Sequence, residues 1–184
     1  MDPAGIYVTS PGWRIVAAST PFDYIGLMNT ALACKDPVLV IEHVDLYSQT
    51  GEVPTDDLDY QIPFGTAAIR REGRELTILT YLSMVGNSLE AVEQTGIDAE
   101  VIDLRFLDRA SFDWATVEAS IRKTNNVLIV EQGARGTSYG GWLAGELGAT
   151  RDWDVLAGST LKRVRGVDTS ALNKASRAKA AKLH

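Results

Sequence analysis

The sequence predicts an α/β protein: a three-layer, mostly parallel sheet preceded by a shorter βαβ unit. Three observations carry this. Short continuous apolar runs, VLVI at 38–41 and VLIV at 127–130, have the character of strands buried on both faces of a parallel sheet. Stretches with three- and four-residue apolar spacing alternate with such runs, which implies right-handed crossovers. The 184 residues are 45% hydrophobic and 23% charged, enough for a packed core.

The first unit spans residues 11–43. Arg14–Ala18 reads as a strand. Thr20-Pro21-Phe22-Asp23 opens a helix, with Thr20 at the N-cap, Pro21 at the first helical position and Asp23 set to receive a backbone donor. Phe22, Ile25, Met28 and Leu32, widened by Ala31, form the expected apolar face; Leu27 falls outside it. Pro37 ends the helix region and Val38–Ile41 is the next strand.

Residues 46–60 lack periodicity and, with Gly51, Pro54 and Asp56-Asp57, read as a linker. Beyond it, Ala67–Arg70 and Leu76–Thr80 are expected strands around the turn REGR. A helix over Ser83–Gln94 closes at Gly96. Ala99–Leu104 is a strand and Asp113–Thr124 a helix, with Asp113 as N-cap and Trp114, Val117 and Ile121 on one face. Val127–Val130 is a third buried strand. The glycine-rich loop GARGTSYGG follows, then a helix from about Tyr139. Leu161–Val164 is a further strand candidate, and residues 1–13 and 168–184 are expected to pack poorly.

The net charge of −6 argues against nucleic acid or an anionic membrane as partner. The charge is uneven: residues 161–184 carry seven Lys/Arg against Asp168 alone, so the other 160 residues carry −12. A solvated basic helix is the expected form of this tail. Cys34 stands alone, which excludes an internal disulfide and a cysteine metal site. No secretory leader and no membrane-length apolar run is visible, so a reduced, cytoplasmic protein is expected.

Six strings, PGWRIVAASTPFDYIGL, DPVLVIEHVDLY, IPFGTAAIRREG, LTILTY, GIDAEVIDLR and TVEASIRKTNNVLIVEQG, cover residues 11–133 almost without a gap. In this order and spacing they closely resemble the beta subunit of the thiamine-diphosphate-dependent 2-oxo acid dehydrogenases, which include pyruvate, branched-chain and acetoin dehydrogenases. The resemblance implies that residues 1–45 are the tail of a pyrimidine-binding domain, 46–60 a linker, 61–167 a transketolase C-terminal-type domain and 168–184 a basic tail. It implies oxidative decarboxylation of a 2-oxo acid, with acyl transfer to lipoamide, in a heterotetramer. The implied partners are an alpha subunit, a second beta subunit and a dihydrolipoyl acyltransferase.

The same resemblance implies thiamine diphosphate and magnesium in the parent complex, held largely by the alpha subunit. The family's activating glutamate and active-site histidine lie upstream of the matching region, so no catalytic or thiamine-binding residue is assigned here. It further implies a potassium site built on main-chain carbonyls after the first long helix, at Ala31, Leu32, Cys34 and Asp36; a plain helix C-terminus is the alternative. The run RFLDRASFD departs from the family's pattern, and residues 145–184 match it only with strain.

Single features have plain readings beside functional ones. His43, beside Glu42, reads as structural or solvated, and His184 is the last residue. The GARGTSYGG loop lacks the spacing of a dinucleotide or Walker motif, so its glycines are expected to serve packing, Gly140 and Gly141 by close approach or positive φ. Arg105 is placed to bind a carboxylate or phosphate. Three functional readings follow: a component of the dehydrogenase, inactive in isolation; a non-catalytic assembly and docking module; or a remnant that folds poorly.

Overall fold

The computed structural model describes residues 3–133 and 138–149; the candidate strand at 161–164, the basic tail and the middle of the glycine-rich loop lie outside them. The described elements are α1 (Ala4–Tyr7), β1 (Arg14–Ala17), α2 (Pro21–Ala33), β2 (Val38–Ile41), a 3-10 turn (Val44–Leu46), β3 (Ala68–Arg71), β4 (Leu76–Thr80), α3 (Ser83–Thr95), β5 (Ala99–Asp103), α4 (Trp114–Thr124), β6 (Val127–Val130) and α5 (Tyr139–Ala149).

The larger sheet has the order β3-β5-β4-β6. β4 pairs in parallel with both β5 and β6, while β3 runs antiparallel to β5. The strands flanking REGR therefore do not meet: β5 lies between them. Gly73 permits this, because a Cβ there would stand 2.1 Å from the Ala99 carbonyl carbon. The register of β3 slips between Ile69 and Arg71, so Arg70 is the extra residue of a bulge, a device that re-aims a side chain.

Three layers result. Met84 and Val92 of α3 pack on one face with Ile78, Val101 and Val130. Val117 and Ile121 of α4, with Tyr139, Leu143 and Leu147 of α5, pack on the other with Leu79, Ile102 and Ile129. Local signals set the boundaries as expected. Thr20 Oγ1 accepts from the Asp23 amide, Gly96 closes α3 at φ +68°, and Asp113 Oδ1 accepts from the Thr116 amide at 3.0 Å.

β1 and β2 form a separate parallel pair. The outer edge of β1 is held by residues 105–107: Ala17 donates to the Arg105 carbonyl at 2.8 Å and Leu107 to that of Ile15 at 2.9 Å. β2 is thus an edge strand. Val38, Leu39 and Val40 are only half-buried, not enclosed on both faces as their composition suggests.

α2 turns a different face inward from the expected one. Asp23, Gly26, Leu27 and Thr30 are buried, whereas Phe22 and Leu32 are exposed. The stretch read as a linker explains this, because its end straps the helix. Asn29 donates to the carbonyls of Leu58 and Tyr60, Thr30 Oγ1 donates to that of Ile62 at 2.7 Å, and the Ile62 amide reaches Gly26 O at 3.2 Å. A Cβ on Gly26 would stand 2.7 Å from both Ile62 and Tyr60.

The expectation of a poorly packed start is also corrected. Ala4 and Val8 are buried in the cluster that holds Tyr139, Leu143 and Leu147 of α5. Two residues at i and i+4 suffice to bury one turn.

Candidate functional site

The turn after α2 holds the four residues implied as potassium ligands. The Cys34 amide donates to the carbonyls of Thr30 and Ala31 at 3.1 and 3.2 Å, and the backbone becomes extended at Cys34. Cys34 Sγ accepts from the Asp36 amide at 3.4 Å. The Asp36 carboxylate is taken by Arg14 Nε at 2.9 Å, and this hydrogen bond holds the guanidinium pKa above its ordinary value. Leu32 is 76% exposed. The four residues share one turn, with one carbonyl and the only carboxylate already engaged. α2 has no basic residue in its last turn, and the nearest cations are Lys35 just beyond it and Arg14 on Asp36.

A cleft of about 430 Å³ opens at the carboxyl ends of β1 and β2, where parallel α/β units characteristically receive ligands. Thr20 and Pro21, at the start of α2, form one wall, and Glu42, His43 and Tyr47 form another. The Tyr47 hydroxyl donates to Glu42 Oε2 at 3.0 Å. Hydrogen bonding to Glu42 raises the phenol pKa of both Tyr24 and Tyr47. His43 caps the 3-10 turn, its Nδ1 accepting from the Asp45 amide at 3.2 Å. Its structural role is thus as expected, but its place on this cleft beside Glu42 and two tyrosines was not legible. The residues are close in sequence, and only the turn at 44–46 brings them around one opening.

Beneath the cleft lies a buried polar cluster that joins the two sheets. Asp23 pairs with Arg70, and its Oδ1 accepts from Arg105 Nη2 at 2.6 Å. Asp103 Oδ2 accepts from Arg70 Nη2 at 2.8 Å and from Ser19 Oγ. Two carboxylates and two guanidinium groups balance. Burial still pushes the Asp103 carboxyl up, against the pull of Arg70, and pushes the Arg105 guanidinium down, against Asp103. Arg105 therefore binds a carboxylate of its own chain. Asp23 reaches across to the larger sheet, not back toward its cap.

Near the glycine-rich loop, Glu131 Oε2 accepts from the Gly140 amide at 2.7 Å. A Cβ on Gly140 would stand 2.6 Å from Glu131 Oε1, so close approach explains this glycine, while Gly141 faces open space. Among the described residues no group of three or more His, Cys, Asp or Glu side chains is placed to hold a metal. No described helix is long and apolar enough to cross a membrane.

Comparison with known proteins places this geometry. The family "Transketolase, C-terminal domain" matches residues 65–179. The pyruvate dehydrogenase E1 component subunit beta of Chlorokybus atmophyticus is 46% identical over 125 residues, covering 66% of this chain and 36% of that protein. That of Bacillus subtilis (strain 168) is 41% identical over 132 residues, covering 70% and 39%. The chain thus spans well under half the length of these relatives. Among solved structures, a split-gene transketolase described as an inactive beta4 tetramer superposes with a TM-score of 0.62 at 19% identity, covering 79% of this chain and 47% of that one, which speaks for the fold. The chain belongs to the transketolase C-terminal domain family, in the form found in beta subunits of the 2-oxo acid dehydrogenases.

Proposed function

We propose that this chain serves as a beta-subunit component of a pyruvate dehydrogenase-like decarboxylase in the cytoplasm, contributing to oxidative decarboxylation of a 2-oxo acid with acyl transfer to lipoamide. The observation that carries the reading is the 46% identity to a pyruvate dehydrogenase beta subunit over 125 residues. Thiamine diphosphate supplies the decarboxylation chemistry in such a complex. The resemblance implies that an alpha subunit holds it there with its magnesium. What this chain contributes is a rigid junction: Asp23, Arg70, Arg105 and Asp103 lock the βαβ unit to the larger sheet beneath the Glu42–His43 cleft.

Potassium at the turn of Ala31, Leu32, Cys34 and Asp36 belongs to the same reading. Helix-end carbonyls without a basic neighbour in the last turn support it. Potassium chloride should raise the melting temperature of the chain more than choline chloride at equal ionic strength. Equal effects of the two salts would remove the ion from the account.

A second reading, a non-catalytic assembly and docking module, is favoured by one observation. Large apolar side chains on the βαβ unit and the segment after it, Leu32, Val44, Tyr47 and Leu58, are each at least two-thirds exposed. In this reading the partners are an alpha subunit, a second beta subunit and the dihydrolipoyl acyltransferase. The two readings part in one assay. The isolated chain, given thiamine diphosphate and magnesium, should neither bind the cofactor nor turn over pyruvate; activity should appear only when an alpha subunit and a beta-subunit front segment bearing the activating glutamate and active-site histidine complete the complex. Turnover by the isolated chain would overturn the component reading, and a saturated complex of all three without activity would favour the docking module.

A further inference from the structure

The cleft at the carboxyl ends of β1 and β2 carries charge of one sign. Among the described residues that line it, Glu42 is the only charged side chain, and there is no lysine or arginine. The guanidinium groups beneath it, on Arg70 and Arg105, are matched by Asp23 and Asp103. The start of α2 offers an anion little. Pro21 has no N–H, the Asp23 amide donates to Thr20 Oγ1, and the Tyr24 amide donates to the Thr20 carbonyl. His43 lines the cleft as a neutral ring, since its Nδ1 accepts from the Asp45 amide. A cleft whose walls hold one sign of charge attracts the opposite sign.

We propose that this cleft binds a small organic cation: a primary ammonium group that donates to Glu42, on an apolar body of about ring size. The other walls suit the body, since Pro21, Ile25, Ile41, Leu46 and Val53 are apolar. The volume of about 430 Å³ falls within the ~300–1,000 Å³ typical of small-molecule pockets. The Tyr47 hydroxyl donates to Glu42 Oε2 at 3.0 Å, and Tyr24 also hydrogen-bonds to Glu42. A carboxylate accepts about four hydrogen bonds, so acceptor sites stay open for an ammonium. Both tyrosines line the cleft, and aromatic rings attract cations. Glu42 is exposed, and an exposed ion pair alone contributes little. The apolar walls must therefore supply part of the affinity, which selects an ammonium with an apolar body over a bare amine. The inference does not depend on the dehydrogenase reading, because residues 18–53 alone line the cleft.

The test is an amide NMR titration of the full chain with phenethylammonium chloride and, at equal ionic strength, with its neutral counterpart 2-phenylethanol. Saturable shifts centred on Tyr24, Glu42 and Tyr47 are expected at millimolar phenethylammonium, with the alcohol binding at least fivefold more weakly. Glu42→Gln keeps the shape of the side chain and an acceptor for the tyrosines. It should weaken ammonium binding about tenfold, since it removes a charge-assisted hydrogen bond, and leave the alcohol unaffected. Ile25→Ala should weaken both ligands by a similar factor, because it trims the apolar wall that they share. Glu52→Gln changes the net charge equally at an exposed residue that does not line the cleft, and should bind as the parent does. Absence of saturable shifts with phenethylammonium, equal affinity for the ammonium and the alcohol, or equal loss in Glu42→Gln and Glu52→Gln would overturn the proposal.

Discussion

Arg105 Nη2 donates to Asp23 Oδ1 across 2.6 Å, and the two residues stand 82 positions apart in the chain. The bond ties the segment leaving β5 to the first turn of α2. Arg70 completes the link from the bulge of β3, reaching both Asp23 and Asp103. Besides these contacts the two-stranded sheet is held by apolar packing, the bonds of residues 105–107, and the bonds of Arg14 and Ile15 to Ser111 and Asp108.

Asp23→Ala should destabilise the chain by about 3 kcal/mol, because it leaves two guanidinium groups facing a buried site with one carboxylate fewer. Chemical denaturation of the full chain measures this. A loss below about 1 kcal/mol, the usual worth of an exposed pair, would mean that the cluster is solvated in solution.

Asp103 gives the cluster a pH dependence whose sign follows from burial. Its carboxyl is held above the ordinary value, so its contribution to stability is fully present below the unfolded pKa of about 4 and is lost as pH rises through the folded value. Asp103→Asn removes that loss. The stability of the variant relative to the parent should climb as pH rises from about 4, then level off. Denaturation curves taken across that range check it, and a difference that stays flat, or falls, would show that Arg70 outweighs burial.

Gly140→Ala should cost about 1–3 kcal/mol, since the added carbon meets the buried Glu131 carboxyl on one side and Ile129 on the other. Gly141→Ala, at a position facing open space on the same helix, should be neutral or slightly stabilising. Equal melting temperatures for the two variants would contradict the close-approach account of the loop.

The cap at Thr20, the close at Gly96 and the cap at Asp113 were legible because each is decided within a few residues. The inward face of α2 was not. Hydrophobic spacing selects Phe22, Ile25, Met28 and Leu32, but Asp23 and Thr30 are buried because distant residues satisfy them: Arg70, Arg105 and the Ile62 carbonyl. Placing β5 between β3 and β4 is likewise a non-local choice, and only Gly73 hints at the close approach. The packing of the chain's start is not legible, because Ala4 and Val8 give too short a pattern to count. Of the candidate site, the helix-end turn was visible as a string. The cleft around Glu42, His43 and Tyr47 exists only once the strand ends converge.

We propose that this chain works by assembling with partners, which sedimentation velocity of the full chain can show. At micromolar concentration, alone and with an alpha subunit, it should form dimers or a mixed complex. That association should withstand moderate salt, because exposed apolar residues such as Leu32, Tyr47 and Leu58 drive it. A chain that stays monomeric at high concentration and ignores the alpha subunit would contradict the account.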